Sequence, residues 1–133
     1  MKFSTKTTYG LRAMILLAQE KEGSISLSLI AEREGISLKY LERIFAQLKK
    51  EELISSEKGS TGGYLLAREA SDITIYDIVK ALEGEISPFY CVDKSEKVFC
   101  GQKCNCGVMG VLKKVQDSLV KTLKDIRLSD LSA

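Results

Sequence analysis

No histidine occurs anywhere in this 133-residue chain. Its absence removes every Ser–His or Cys–His pair, every histidine base and every histidine metal ligand the chain could supply. Most hydrolase mechanisms go with them. Proline occurs once, and 44% of residues are apolar, a composition that folds rather than one that stays disordered. Long apolar runs are missing too: none approaches the roughly 18 residues a membrane span needs. The opening Met1-Lys2-Phe3-Ser4-Thr5 lacks the apolar core of a signal peptide, so the expected location is the cytoplasm. Internal repeats and low-complexity tracts are also lacking. Cysteine is absent from all but one stretch, which holds Cys91, Cys100, Cys104 and Cys106. An exported scaffold spreads its cysteines to staple distant segments, whereas clustered thiols read as metal ligands or redox groups.

The length suits one domain with a real hydrophobic core, burying roughly two-thirds of the surface of the unfolded chain. Net charge is only +2, but residues 1–68 carry 11 Lys and Arg against 8 Asp and Glu, while residues 69–133 carry 9 against 10. This mild N-terminal excess permits nucleic-acid binding without requiring it. Ordinary solvated helix faces would account for it equally well.

Helical periodicity runs from Thr5 to about Glu20 through Leu11, Met14, Ile15 and Ala18. A short second helix follows, capped by Ser26 or Ser28 and stopped by Gly35. A third opens with Ser37 as its N-cap and buries Leu41, Ile44, Phe45 and Leu48. The period then changes. Residues 53–57 and 64–67 read as strands around a glycine-rich loop, Lys58-Gly59-Ser60-Thr61-Gly62-Gly63. Thr74 and Asp77 form a capping-box start for a helix that Gly84 closes. Residues 85–110 show little periodicity and hold all four cysteines. The last helix, from about Val108 to Ile126, has apolar positions 108, 112, 115, 119, 123 and 126, a narrow seam that calls for a partner surface. The alternative is that this helix packs only on its own domain.

Two short helices joined at a glycine, followed by a hairpin, give the order of a winged helix-turn-helix. The fold class is therefore mainly α with a small β-hairpin wing, plus a long C-terminal dimerisation helix. Residues 1–84 form the DNA-binding domain, 85–107 a cysteine-rich loop, and 108–133 the dimerisation helix and tail. The third helix carries Lys39, Tyr40, Glu42 and Arg43 near its N-terminal end, the part of a recognition helix that reaches base edges. Arg43 can fork onto guanine, Glu42 can accept from cytosine, and Lys39 and Tyr40 can fix phosphates. Lys58 heads a thin cationic wing tip suited to a narrow minor groove. The candidate DNA-binding set is Ser37, Lys39, Tyr40, Glu42, Arg43, Lys58 and Gly59. The plain alternative is a helical bundle with solvated charges, and the basic glycine-rich hairpin speaks against it.

Several blocks in order resemble the IscR-type (Rrf-type) family of winged-helix regulators, whose best-known member governs iron–sulfur cluster assembly. They are S-T-K-x-x-Y-G-L-R-A-M from Ser4 to Met14, I-A-E-R-E-G-I-S-L-x-Y-L-E from Ile30 to Glu42, and G-S-T-G-G-Y-L-L from Gly59 to Leu66. The A-L-E-G after the wing, the cysteine loop and the closing I-R-L-S-D-L extend the match over nearly the whole chain. The resemblance implies a homodimeric transcription regulator on pseudo-palindromic double-stranded promoter DNA, with no catalytic activity. It places base reading on Lys39, Tyr40, Glu42 and Arg43. The wing position usually held by arginine falls on Lys58, a point charge without arginine's planar fork.

The resemblance also aligns Cys91, Cys100 and Cys106 with the family's three cluster ligands, leaving Cys104 as an extra thiol. Soft anionic sulfur suits iron–sulfur centres. The family's assembly regulator has a histidine three residues after its last cysteine, and here that position is Met109. A fourth ligand would have to be Cys104 or a carboxylate or hydroxyl of a partner chain, and a 2Fe–2S or a 4Fe–4S centre would both be open. Spacing alone leaves structural zinc and redox-active thiols as further readings, although paired C-x-x-C knuckles are absent. A cluster-free regulator of the same family, acting through a protein partner or through thiol oxidation, is the alternative function. A cysteine nucleophile without an accompanying base makes an enzyme a poor reading.

Overall fold

The computed structural model describes residues 2–58, 62–86 and 107–132. Helix α1 (Thr5–Gln19) turns Ala13, Met14 and Leu17 inward. The Ser26 hydroxyl accepts from the Leu29 N–H at 3.2 Å and starts α2 (Leu27–Glu34). Gly35 stops it in the left-handed region (φ 65°, ψ 35°), where a side chain would be strained. The Ser37 hydroxyl accepts from the Tyr40 N–H at 3.1 Å and opens α3 (Leu38–Lys50). Both serines satisfy helix N–H groups that would otherwise lack partners.

Strands β1 (Ile54–Glu57) and β2 (Gly63–Leu66) pair antiparallel, with Ile54 opposite Leu66 and Glu57 opposite Gly63. Thr74 and Asp77 form the expected capping box at the start of α4 (Ile75–Glu83). Helix α5 (Gly107–Asp125) is the last helix among the described residues, with short 3-10 turns at Ala70–Asp72 and Leu128–Asp130. Met14, Ile30, Leu41, Ile44, Phe45, Leu48, Ile78 and Leu82 form the centre of one core. Phe45 meets Tyr64 edge-on, with centroids 4.9 Å apart, so the hairpin is seated directly on α3. Arg12 and Glu34 form an ion pair from α1 to α2 at 2.6 Å.

The periodicity is confirmed in its main lines and shifted at its edges. Both strands sit one residue from their expected starts: Leu53 donates back to the Leu48 carbonyl, so β1 opens at Ile54, and β2 opens at Gly63, which pairs with Glu57. Ile25 exchanges two backbone hydrogen bonds with Tyr64, at 2.8 and 3.0 Å, which adds a one-residue third strand to the wing. A single residue leaves no alternation to detect.

Ile126 falls outside α5, whereas the seam had placed it inside. Its carbonyl accepts from the Ile75 N–H at 2.9 Å, and the Leu128 N–H donates to the Ile73 carbonyl at 2.8 Å. Leu128 is fully buried, so the tail is part of the core. The apolar residues of α5 are divided. Leu119, Val120 and Leu123 pack against the body, while Val108, Val111 and Val115 stay exposed at 60%, 61% and 45%. Among the described residues no helix is long and apolar enough to cross a membrane.

Candidate nucleic-acid interface

The first two turns of α3 gather five of the seven candidate DNA contacts. Ser37 caps the helix, and Lys39, Glu42 and Arg43 are exposed. They can be exposed because Leu41, Ile44, Phe45 and Leu48 bury the opposite side. An α-helix held this way offers its outer face to a major groove, with the free helix N-terminal N–H groups favouring nearby phosphate.

Tyr40 is placed differently from its neighbours. It is half-buried, its ring stands edge-on to Tyr9 with centroids 6.1 Å apart, and its hydroxyl shares a 3.1 Å hydrogen bond with the Thr5 hydroxyl. The recognition helix is thus tied to the start of α1 through the residue expected to hold phosphate.

Lys58 follows β1 and is exposed. Gly59 lies outside the described residues. Lys49 donates to the Ser56 hydroxyl at 2.8 Å, which fixes the hairpin against the last turn of α3. Arg68 reaches back to the carbonyls of Glu51 and Glu52, 3.3 Å from each. Glu52 itself takes a left-handed turn (φ 58°). The relative placement of helix and wing is therefore set by Lys49 and Arg68.

One cation was missed in the sequence. Lys6 lines an open groove with Ser4, Tyr40, Arg43 and Gln47, so the start of α1 adds positive charge beside the exposed face of α3. Its distance from Arg43 in the chain hides this, and only the packing of α1 against α3 reveals it. Cys91, Cys100, Cys104 and Cys106 lie outside the described residues. Among the described residues no three acidic or thiol side chains converge to hold a metal ion.

A family model described as "Rrf2: Iron-dependent Transcriptional regulator" matches residues 3–133. The chain is 34% identical over 132 residues to the HTH-type transcriptional regulator IscR of Escherichia coli, covering 98% of this chain and 80% of that protein. Among solved structures it is similar to CymR, titled the global cysteine regulator of B. subtilis, with a TM-score of 0.81 and 35% identity over 99% of this chain and 96% of that one. It is also similar to T. potens IscR, with a TM-score of 0.75 and 39% identity over 98% of this chain and 85% of that one. An oxidised form of Staphylococcus aureus CymR superposes with a TM-score of 0.77 at 35% identity, covering 99% and 96%. These relatives are regulators and not enzymes, as the missing catalytic pairs lead one to expect. A winged helix-turn-helix with a capped, outward-facing recognition helix, matched along its length by such relatives, makes this chain a member of the Rrf2 family of DNA-binding transcriptional regulators.

Proposed function

We propose that the chain acts in the cytoplasm as a homodimer on pseudo-palindromic promoter DNA, and that its cysteines report iron–sulfur, redox or reactive-gas status. The observation that carries the DNA reading is the N-terminal half of α3. Lys39, Glu42 and Arg43 project from a helix whose opposite face is wholly buried, and an exposed Lys58 leads into the wing. Two such helices, related by a twofold axis, would read two half-sites. Exposed Val108, Val111 and Val115 on α5 give the pairing surface.

For sensing, the donor set is the argument. It contains four thiols and no imidazole, and soft anionic sulfur is the ligand that iron–sulfur clusters take. Cys91, Cys100 and Cys106 would hold the cluster. With Met109 where relatives of the assembly-regulator type carry histidine, Cys104 or the partner chain would supply the fourth ligand. A bound cluster supplies a centre that oxygen or a reactive gas can alter. The protein's own part is to change its affinity for DNA with occupancy, and DNA must then change cluster affinity by the same factor.

Anaerobic purification followed by a visible spectrum with iron and sulfide analysis tests this. A brown protein with matching iron and sulfide is expected. Colourless protein holding stoichiometric zinc overturns the cluster reading. A second reading, oxidation of the same thiols without metal, is favoured by the similarity to an oxidised CymR structure. Replacing Cys91, Cys100 and Cys106 tests the proposed ligands: if operator binding responds to air as in the parent, the cluster reading does not survive.

A further inference from the structure

The carboxylate of Glu83, at the end of α4, sits over the start of α1. Its Oε1 accepts from the Ser4 N–H at 2.7 Å, from the Ser4 hydroxyl at 2.7 Å, and from the Thr7 hydroxyl at 2.5 Å. Thr7 is the buried polar residue among the described ones, so its hydroxyl depends on that partner. Ser4 is the N-cap of α1, yet its side chain makes no capping bond. Its hydroxyl donates to Glu83 instead, and a carboxylate from another helix stands where the positive end of α1 favours negative charge.

The next residue along, Thr5, holds Tyr40 of α3 through the 3.1 Å hydroxyl bond. A Cβ at Gly10 of α1 would run into the Leu82 side chain of α4, and Ile44 of α3 lies at contact distance from it, so α1 packs closely on both helices. The result is a continuous path, Glu83 to Ser4 and Thr7, one residue along α1 to Thr5, and on to Tyr40. Three residues after Glu83, Ile86 is buried, and the cysteine-bearing stretch begins beyond it.

We propose that Glu83 is a positioning residue for DNA recognition, fixing the start of α1 and, through Thr5 and Tyr40, the orientation of α3. This rests on the reading of α3 as the DNA-contacting helix. Glu83 touches no base. It sets the angle at which Lys39, Glu42 and Arg43 are presented, and it precedes the cysteine-bearing stretch in the sequence.

The test uses the full-length protein and a duplex selected by the parent from a randomised library. Glu83→Ala should weaken binding about five- to tenfold, in line with the loss of charged hydrogen bonds. Glu83→Gln, whose amide oxygen can still accept all three bonds, should recover most of it. Thr5→Val, which cuts the path and leaves the Tyr40 hydroxyl in place, should weaken binding as much as Tyr40→Phe. Combining either with Glu83→Ala should add little. The proposal is overturned if Glu83→Ala binds as tightly as the parent or tighter, since the carboxylate would then do nothing to orient α3. It is overturned equally if Tyr40→Phe weakens binding and Thr5→Val does not, since Tyr40 would then touch DNA directly. Should Glu83→Ala fail to fold, Thr5→Val decides: binding equal to the parent's overturns the proposal. Arg43→Ala serves as the control: an unchanged affinity there removes the α3 reading itself.

Discussion

Gly63 lies against the backbone of Ile25, so close that a Cβ at position 63 would stand 2.6 Å from the Ile25 carbonyl oxygen. The neighbouring Tyr64 holds Ile25 by two backbone hydrogen bonds, so neither partner can step aside alone. Gly63→Ala should therefore destabilise the protein by about 1–3 kcal/mol, the usual cost of overpacking. Urea titration monitored by circular dichroism measures it. Unchanged stability would mean that the one-residue strand does not hold the wing.

Much of this architecture was legible in the sequence because local rules agreed with one another. Ser37 before an amphipathic run, Gly35 at a helix end, and Thr74 with Asp77 each announce a boundary by their own chemistry. The contributions of Ile25, Leu128 and Lys6 were not legible. Ile25 is a strand of one residue, Leu128 buries itself after the helix has ended, and Lys6 reaches the site by packing across the fold. Sequence period cannot report contacts made between distant segments. The α5 seam shows the same limit: its period is sound, but Leu119 and Leu123 face the body while Val108 and Val115 do not.

Ser37 invites a separation of capping from contact. Its hydroxyl accepts from Tyr40, so Ser37→Ala should cost about 1 kcal/mol of stability. Ser37→Asp retains the cap and should keep stability, but it places a negative charge at the end of α3 that would face phosphate. Thermal melts and operator titrations on both variants are expected to disagree: Ala loses stability, and Asp loses affinity. Full affinity in Ser37→Asp would place the N-terminus of α3 away from the DNA backbone.

Lys58 and Arg43 should behave differently under salt. If Lys58 neutralises one phosphate, Lys58→Ala lowers the slope of log K against log salt by about 1, with uniform loss across sequences. Arg43→Ala should instead relax preference at one base pair by about 1–3 kcal/mol. Lys58→Arg restores a planar fork and should bind more tightly than the parent. Binding measured across a salt series on the selected duplex and on single-base variants resolves these cases. Identical behaviour of Lys58→Ala and Arg43→Ala would refute the division of labour.

The exposed valines of α5 give a prediction about assembly. Val111→Asp or Val115→Asp places a charge on the surface proposed to pair, without touching the Leu119 and Leu123 contacts with the body. Sedimentation should show a dimer for the parent and a monomer for the variants, with melting that depends on concentration only in the parent. A dimer that survives both substitutions would move the interface elsewhere.

Glu83 adds a dependence on pH whose sign follows from its surroundings. Burial opposes its ionisation, but hydrogen bonds from the Ser4 and Thr7 hydroxyls and the Ser4 backbone, with the charge of Lys6, outweigh it and hold its carboxyl below the ordinary 4.5. A carboxylate whose folded pKa is depressed stabilises the fold fully above the unfolded value, and that contribution disappears as pH falls through the folded one. The parent should therefore exceed Glu83→Gln in stability by a constant amount from neutral pH down to about 5. Below the ordinary carboxylate value the difference should shrink, and it should vanish once Glu83 is protonated in both states. Urea titrations of the two proteins across that range measure the difference directly. A gap that stays constant into acid would show that charge on Glu83 contributes nothing, leaving only the acceptor geometry that glutamine shares.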